Sequence, residues 1–286
     1  MLIAQISDCH LVADPHRVRY DVNPAAALGA AVAHLNRLEP QPDLVLVTGD
    51  LVERGTADEY VVLRACLDEL GAPFALVRGN HDERDPLVEA FPDHPHLALG
   101  DPWVQYTIDD HDIRVVVADS TMPNRHDGGY DAERAAWLDH VLSERPDHPT
   151  VVAWHHPPIE TGIWWMDAGG FNEGRELIAD VIGRHSQVIR VVCGHQHRSI
   201  QALWAGTMLS VCPSTAHQVG LDLAPEQEPS FITEPPAFQL HRWDGHTLVT
   251  HTSLVTWPDQ PQRLDFGQTW DEMLPGQRER RPQLKG

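Results

Sequence analysis

The sequence predicts an α/β protein, with two β-sheets packed together and helices on the outside. Three observations predict it. Five short, β-branched-rich apolar runs, at residues 2–6, 44–47, 74–77, 151–154 and 188–192, have the length and composition of buried strands. Helical patterns alternate with these runs. Beyond residue 197 the pattern changes to short strands joined by turns.

The elements follow in order. Residues 24–38 carry Leu28, Val32, Leu35 and Leu38 on one stripe, and Pro24 suits a first helical turn. Thr56-Ala57-Asp58-Glu59 reads as a capping box that opens a helix. Its apolar face is Val62, Leu63, Cys66, Leu67 and Leu70, with Cys66 expected as a small buried hydrophobe and Gly71 as the stop. Residues 103–108 and 113–118 flank the polar turn Asp109-Asp110-His111-Asp112 and read as a hairpin. Residues 132–143 place Trp137, Leu138, Val141 and Leu142 at helical spacing, and residues 173–185 form a weaker helix through Leu177, Ile178, Val181 and Ile182. Strands are expected at 200–204, 208–212, 237–243 and 247–253, with Asp244-Gly245 as the hairpin turn between the last two. The Pro/Glu-rich stretch 225–236 reads as a surface loop.

Residues 1–253 show no internal repeat and no point at which to divide them, so one catalytic-size domain is expected there. Residues 254–286, rich in Pro, Gln and Arg, are expected to be a poorly ordered tail or an arm over a neighbouring subunit. A chain of 286 residues buries a large core without disulfides. Apolar residues make up 42% and charged residues 22%, as in a globular protein. Lys plus Arg number 21 against 42 Asp plus Glu, a net charge of -21 that repels polyanions and argues against a nucleic-acid polymer as partner. A small phosphate ester remains compatible, because bound divalent cations reverse the local field. The four cysteines, Cys9, Cys66, Cys193 and Cys212, form no C-x-x-C pair, and a reducing compartment, the cytoplasm, is expected. No basic segment precedes an apolar stretch of signal-peptide length, and no run reaches the ~18 apolar residues of a membrane span.

The chemistry lies in five polar strings, each just after an apolar run: Asp8-Cys9-His10, Gly49-Asp50, Gly79-Asn80-His81-Asp82, His155-His156-Pro157-Pro158 and Gly194-His195-Gln196-His197. Loops at the carboxyl ends of strands are where α/β proteins build ligand sites, so the strings are expected to converge. They supply Asp, Asn and His in the numbers needed to hold two metal ions side by side. Carboxylate oxygen and imidazole nitrogen suit divalent first-row metals. Asp8 and His10, like His195 and His197, stand at i and i+2, which an extended backbone turns to one face. Asp50 can bridge two cations, and Asn80 offers a neutral amide oxygen. Taken singly, each string is compatible with an ordinary turn or loop exit. Their order and common position at strand ends make the set specific.

The set resembles the calcineurin-like metallophosphoesterase superfamily, and is similar in particular to the bacterial glycerophosphodiesterases and the class III cyclic-nucleotide phosphodiesterases. Asp21-Val22-Asn23, residues 55–60, Phe171-Asn172-Glu173-Gly174 and Ala216-His217-Gln218-Val219 resemble the glycerophosphodiesterase branch. The similarity covers residues 1–253 and implies a four-layer αββα sandwich. It implies two divalent metals (Fe, Mn, Zn or Co), the first held by Asp8, His10, Asp50 and His197. The second would be held by Asp50, Asn80, His155 and His195. His155 aligns with the family's ligand, which leaves His156 as a supporting residue. His81 would face the phosphoryl oxygens as hydrogen-bond donor or general acid. Two departures stand out. Cys9 occupies a position where Thr is commoner, and Leu51-Val52-Glu53 follow Asp50 where purple acid phosphatases carry a Tyr ligand.

The resemblance implies hydrolysis of small phosphodiesters by in-line attack of a metal-activated hydroxide, between metals ~3.5–4 Å apart. Glycerophosphodiesters stand ahead of 3′,5′- and 2′,3′-cyclic nucleotides as substrates. A non-catalytic scaffold of the same fold would have lost ligands, and a nuclease would need a basic groove. His217, Trp164 and Trp165 are candidate pocket residues, the tryptophans alternatively packing at a subunit interface. His94, His96, His126, His140, His148 and His185 are expected at the surface. A homo-oligomer is compatible with late strands that can pair across a two-fold axis.

Overall fold

Three parallel strands, β1 (Leu2–Ile6), β2 (Leu44–Thr48) and β3 (Phe74–Val77), start the first sheet, and helices α1 (Pro24–Leu35) and α2 (Ala57–Leu67) return the chain between them. The computed structural model describes residues 1–14, 22–97, 102–255 and 272. After α3 (Arg84–Ala90), the second sheet begins with the antiparallel pair β4 (Tyr106–Ile108) and β5 (Arg114–Val117). It continues through β7 (Thr150–Ala153), β9 (Val188–Cys193) and β11 (Thr207–Val211), parallel to β5, and is closed at the far edge by antiparallel β10 (Ile200–Trp204). Helices α4 (Ala132–Glu144) and α6 (Arg175–Arg184) provide its crossovers, with α5 (Trp164–Ala168) between them. Two short ladders pair β6 (Gly128–Gly129) with β8 (Phe171–Glu173), and β12 (Gln218–Val219) with β13 (Phe231–Ile232). The chain returns to the first sheet as the hairpin β14 (Ala237–Trp243) and β15 (Leu248–Leu254), giving the order β15-β14-β1-β2-β3 against β10-β11-β9-β7-β5-β4.

Side-chain alternation divides the core. Val115, Val117, Val151, Ala153 and Val192 of the second sheet pack with Ile3, Val45 and the buried residues of α1 and α2. Their neighbours Val116, Val152 and Val191 pack with Leu138, Leu142, Ile178 and Ile182 of α4 and α6. The period of two thus serves both faces of one sheet and yields the αββα layering. No helix among the described residues is long and apolar enough to cross a membrane.

A polar seam crosses the apolar contact between the sheets. Gln5 Nε2 donates to Thr48 Oγ1 and to the Cys193 carbonyl, both at 2.9 Å, tying β1 to β2 and to β9 just before the motif loops. The amide's oxygen is left to accept from His241 Nε2 at 3.1 Å, and Thr250 Oγ1 lies 2.9 Å from His241 Nδ1. Burial, helped by Arg190, pulls the His241 pKa down to about 3 and so keeps the ring neutral, with Thr250 Oγ1 able to donate to Nδ1. Below the ordinary histidine pKa of about 6.5 the unfolded chain takes up a proton that the folded chain refuses. Stability is full above that pH and falls by about 1.4 kcal/mol per pH unit as the pH drops toward 3. His241→Gln should then lose about 2 kcal/mol less than the wild type between pH 8 and pH 5. Urea unfolding at the two pH values measures it, and equal losses would remove His241 from the acid limb.

The structure departs from the sequence reading at several points. Helix α1 ends at Leu35, not at residue 38, because the Asn36 side chain donates to the Glu69 carbonyl and accepts from the Gly71 amide. The next helix, α2, ends at Leu67, so Gly71 serves that bridge and is not the stop. The capping box at Thr56 and Glu59 is present. Cys66 is half-buried. Gly174, in the left-handed region, opens α6, and Glu173 belongs to β8. The stretch 225–236 contains β13, and the last strand ends one residue beyond 253. His94 is buried, its Nε2 3.2 Å from the Phe74 carbonyl, whereas His126 and His140 are exposed as expected. Asp21 and, apart from residue 272, everything from 256 onward lie outside the described residues.

Candidate metal centre

The parallel strands of both sheets end at one edge, and the five polar strings form the loops there. Hydrogen bonding between the β1 and β2 chains continues past the strands, from the Asp8 amide to the Gly49 carbonyl and from the His10 amide to the Asp50 carbonyl. The Gly194 amide donates to the His155 carbonyl, and the His195 amide donates to the Asp8 carboxylate at 3.0 Å. Among the described residues, five of the eight non-glycine residues with positive φ are Asp8, His10, Asp50, His195 and His197. The i and i+2 pairs therefore converge through left-handed backbone, not through the extended chain expected. Such strain persists where surrounding hydrogen bonds over-determine it, and it concentrates at functional sites. Gly79 is required by close approach, since a Cβ there would run into the Asp50 backbone.

Two clusters of donors share one carboxylate oxygen. In the first, His10 Nε2 lies 3.1 Å from His197 Nε2 and 3.7 Å from Asp50 Oδ2, and His197 Nε2 lies 3.4 Å from Asp8 Oδ1. The donor atoms of Asp8, His10, Asp50 and His197 are grouped closely enough for one ion. In the second, Asn80 Oδ1 lies 3.2 Å from both His155 Nε2 and His195 Nδ1. His155 Nε2 is also 3.3 Å from Asp50 Oδ2. The other Asp50 oxygen accepts the His81 amide at 2.9 Å, so Oδ2 alone faces both clusters.

Donor chemistry tests whether cations fit. His10 Nδ1 donates to Glu53, His197 Nδ1 to the His217 carbonyl at 2.8 Å, and His155 Nδ1 to the Thr48 carbonyl at 2.8 Å. Carbonyls and carboxylates only accept, so the proton of each neutral ring is on Nδ1 and each Nε2 presents a lone pair. Lone pairs on His10 and His197 then face each other at 3.1 Å, and that of His155 faces the Asn80 oxygen. Such pairs repel unless a proton or a metal ion lies between them. At His155 burial is outweighed by Asp50, which raises the pKa to about 9, so without metal a proton serves there. Separations of this size are also those of ligands about 2.1 Å from a common metal. Charge agrees. Asp8 is fully buried, and burial pushes its pKa up to about 6, a carboxylate short of positive charge. For Asp50 the burial penalty is outweighed by His155, His81 and His10, and it is held well below the usual carboxylate range. Burial pulls His195 down to about 3 and His197 well below the imidazole range, which keeps both as neutral donors.

The adjacent histidines 155 and 156 separate. His156 Nδ1 lies 2.9 Å from Ser120 Oγ, and its Nε2 lies 3.2 Å from the His126 carbonyl. Both its nitrogens have protein partners, although the ring is close enough to those of His155 and His195 to share a cluster. His81 Nδ1 donates to the Glu53 carbonyl at 2.8 Å, and Asn80 and His81 lie in a turn, not an extended loop. His217 lies against His10 and His197, with ring centroids 5.4 and 4.6 Å away, and lines a recess with His10, Val12 and Glu53. Trp164, at the start of α5, is exposed and donates Nε1 to the Gln227 carbonyl at 2.7 Å, while Trp165 packs on Ile163, Met166 and Val219. Cys9 is fully buried, and burial pushes its thiol up to about 12, so it is no thiolate at neutral pH.

Sequence reasoning missed two supporting carboxylates. Glu53 holds His10. Asp82 accepts the amides of Gly79, Leu51 and Val52 and the Tyr60 hydroxyl, clamping the Asp50 loop to the Asn80 loop. Asp82 was visible as the last residue of its string. Glu53 had no signal beyond standing where a Tyr ligand occurs elsewhere.

The sequence model of the calcineurin-like phosphoesterase family matches residues 1–199, a stretch that contains all five strings. The chain belongs to the calcineurin-like phosphoesterase family. Among its relatives is a probable glycerophosphodiester phosphodiesterase of Arcobacter nitrofigilis, 36% identical and aligned over 89% of this chain and 93% of the relative. A probable cyclic nucleotide phosphodiesterase of Rhodopseudomonas palustris is 35% identical over 88% of this chain and 91% of its own. A dimetal phosphatase from Danio rerio shares the phosphoesterase fold, with a TM-score of 0.64 at 16% identity over 90% of this chain and 96% of that one.

Proposed function

We propose that this phosphoesterase hydrolyses small phosphodiesters, glycerophosphodiesters foremost, at a centre of two divalent metals. The observation that carries it is the single Asp50 oxygen common to two donor clusters. Asp8, His10, Asp50 and His197 would hold one metal, and Asp50, Asn80, His155 and His195 the other. Fe, Mn, Zn and Co all suit this mixture of oxygen and nitrogen. When bound, the metals supply Lewis acidity that lowers the pKa of a water and balances charge on phosphoryl oxygens.

The chain's own groups do the rest. The buried rings of His10, His155 and His197, each hydrogen-bonded through Nδ1, keep their Nε2 lone pairs aimed at the clusters without reorganisation during the reaction. His81 stays outside the clusters, anchored through Nδ1, so its Nε2 is the group that meets substrate. It donates there only while the ring carries both protons. His156 supports the site through Ser120 and the His126 carbonyl. His217 lines the recess beside the first cluster and is suited to contact the alcohol portion of a substrate, whereas Trp164 and Trp165 do not line that recess.

A second reading, cyclic-nucleotide hydrolysis, is favoured by the 35% identical relative of that description. A panel of glycerophosphoethanolamine, 3′,5′-cAMP, 2′,3′-cAMP and bis(p-nitrophenyl) phosphate with metal-reconstituted protein separates the two. We expect the highest kcat/KM on glycerophosphoethanolamine among the three natural substrates. A higher value on a cyclic nucleotide would select the second reading, and no turnover of any substrate would select a scaffold.

A further inference from the structure

We propose that Glu53 is a positioning residue for His10 whose carboxylate strengthens metal binding at the Asp8, His10, Asp50 and His197 cluster. The inference rests on the two-metal reading above. Glu53 Oε2 lies 2.9 Å from His10 Nδ1, and both side chains are largely buried, 10% and 8% exposed.

The other rings of the centre differ in this respect. His155 and His197 place their Nδ1 protons on neutral carbonyls, those of Thr48 and His217. His10 places its proton on a charged group. A charge-assisted hydrogen bond is roughly twice as strong as a neutral one. A carboxylate behind a ligating imidazole also raises the basicity of the opposite nitrogen. That nitrogen, His10 Nε2, is the one facing His197 and Asp50.

The backbone makes the arrangement rigid. The Glu53 amide donates to the Leu11 carbonyl, and Val52 forms a bridge with Leu11, so residues 51–53 run beside the His10 loop. Glu53 also holds His81, but through its backbone carbonyl. A side-chain substitution therefore alters the support of His10 and leaves the anchor of His81. This separation makes the proposal testable.

Metal-stripped wild type, Glu53→Gln and Glu53→Asp would be titrated with Mn²⁺ by calorimetry, with bound metal counted after desalting. The wild type should take up two ions. In Glu53→Gln, which keeps the shape and loses the charge, one binding step should weaken 10- to 100-fold and the other should not change. Glu53→Asp should stay within about tenfold of wild type at both steps, and it carries the test should the Gln variant fail to fold. On a His155→Ala background, where the second cluster lacks a donor and one binding step is expected, Glu53→Gln should weaken the single step by the same factor. Unchanged affinities in Glu53→Gln, or an Asp variant as weak as the Gln variant, would overturn the role of the Glu53 charge. A wild type that binds fewer than two ions would overturn the two-metal reading instead.

Discussion

Asp50→Ala is expected to empty both metal positions and to lower turnover by at least about a thousandfold. Asp50 Oδ2 faces His10 on one side and His155 on the other, so one substitution removes a ligand from each cluster. Several kcal/mol of transition-state stabilisation come from paired metals, and each 1.36 kcal/mol is a factor of ten. The loss does not stop at charge. Asp50 Oδ1 accepts the His81 amide, so the Asn80-His81 turn also loses its tie to the Asp50 loop. Metal content after reconstitution is the deciding measurement. His155→Ala should empty one position, and His156→Ala neither, because both nitrogens of His156 are occupied by Ser120 and the His126 carbonyl. One tightly held ion in Asp50→Ala would mean that the clusters do not share this carboxylate. Metal loss in His156→Ala with normal content in His155→Ala would shift the assignment by one residue.

Much of this centre was legible in the sequence, for a physical reason. Metal donors need fixed loops, fixed loops stand at strand ends, and buried parallel strands announce themselves as unbroken apolar runs. The strands before Asp8, Asp50, Asn80, His155 and His195 could be read in that way, and the helices between them carried apolar stripes or a capping box. Elements without such periodicity escaped. Helices α3 and α5 have seven and five residues, too short for a stripe, and are held by tertiary contacts. His94 looked like a surface residue because its neighbours in sequence are polar, but its neighbours in space are Phe74 and Tyr106. The supports of the candidate ligands were the least visible. Glu53 and His10 lie 43 positions apart, and the Thr48 carbonyl that orients His155 is backbone, on which side-chain identity gives no information. The left-handed conformations at five candidate ligands were equally hidden, since Asp and His adopt positive φ more often than most residues but far less readily than glycine.

His81→Ala is expected to leave metal content near normal while turnover of substrates with an alkoxide leaving group falls by ~10²-fold or more. The expectation follows from how the residue is divided. Its backbone amide donates to Asp50 Oδ1, and its neighbour Asn80 supplies the amide oxygen facing His155 and His195. Both features survive truncation of the ring. What is lost is an imidazole anchored through Nδ1 on the Glu53 carbonyl, with its ring centroid 4.8 Å from that of His10 and therefore beside the first cluster. From that position Nε2–H can stabilise a phosphoryl oxygen or protonate the departing alcohol. The two roles separate by leaving group. An alkoxide needs the proton, whereas p-nitrophenolate leaves without it, so a general-acid role predicts a smaller loss on bis(p-nitrophenyl) phosphate than on glycerophosphoethanolamine. Equal losses would leave only stabilisation of the phosphoryl oxygens. A variant that loses a metal would contradict the placement of His81 outside the clusters, because nothing in the remaining backbone contacts accounts for such a loss.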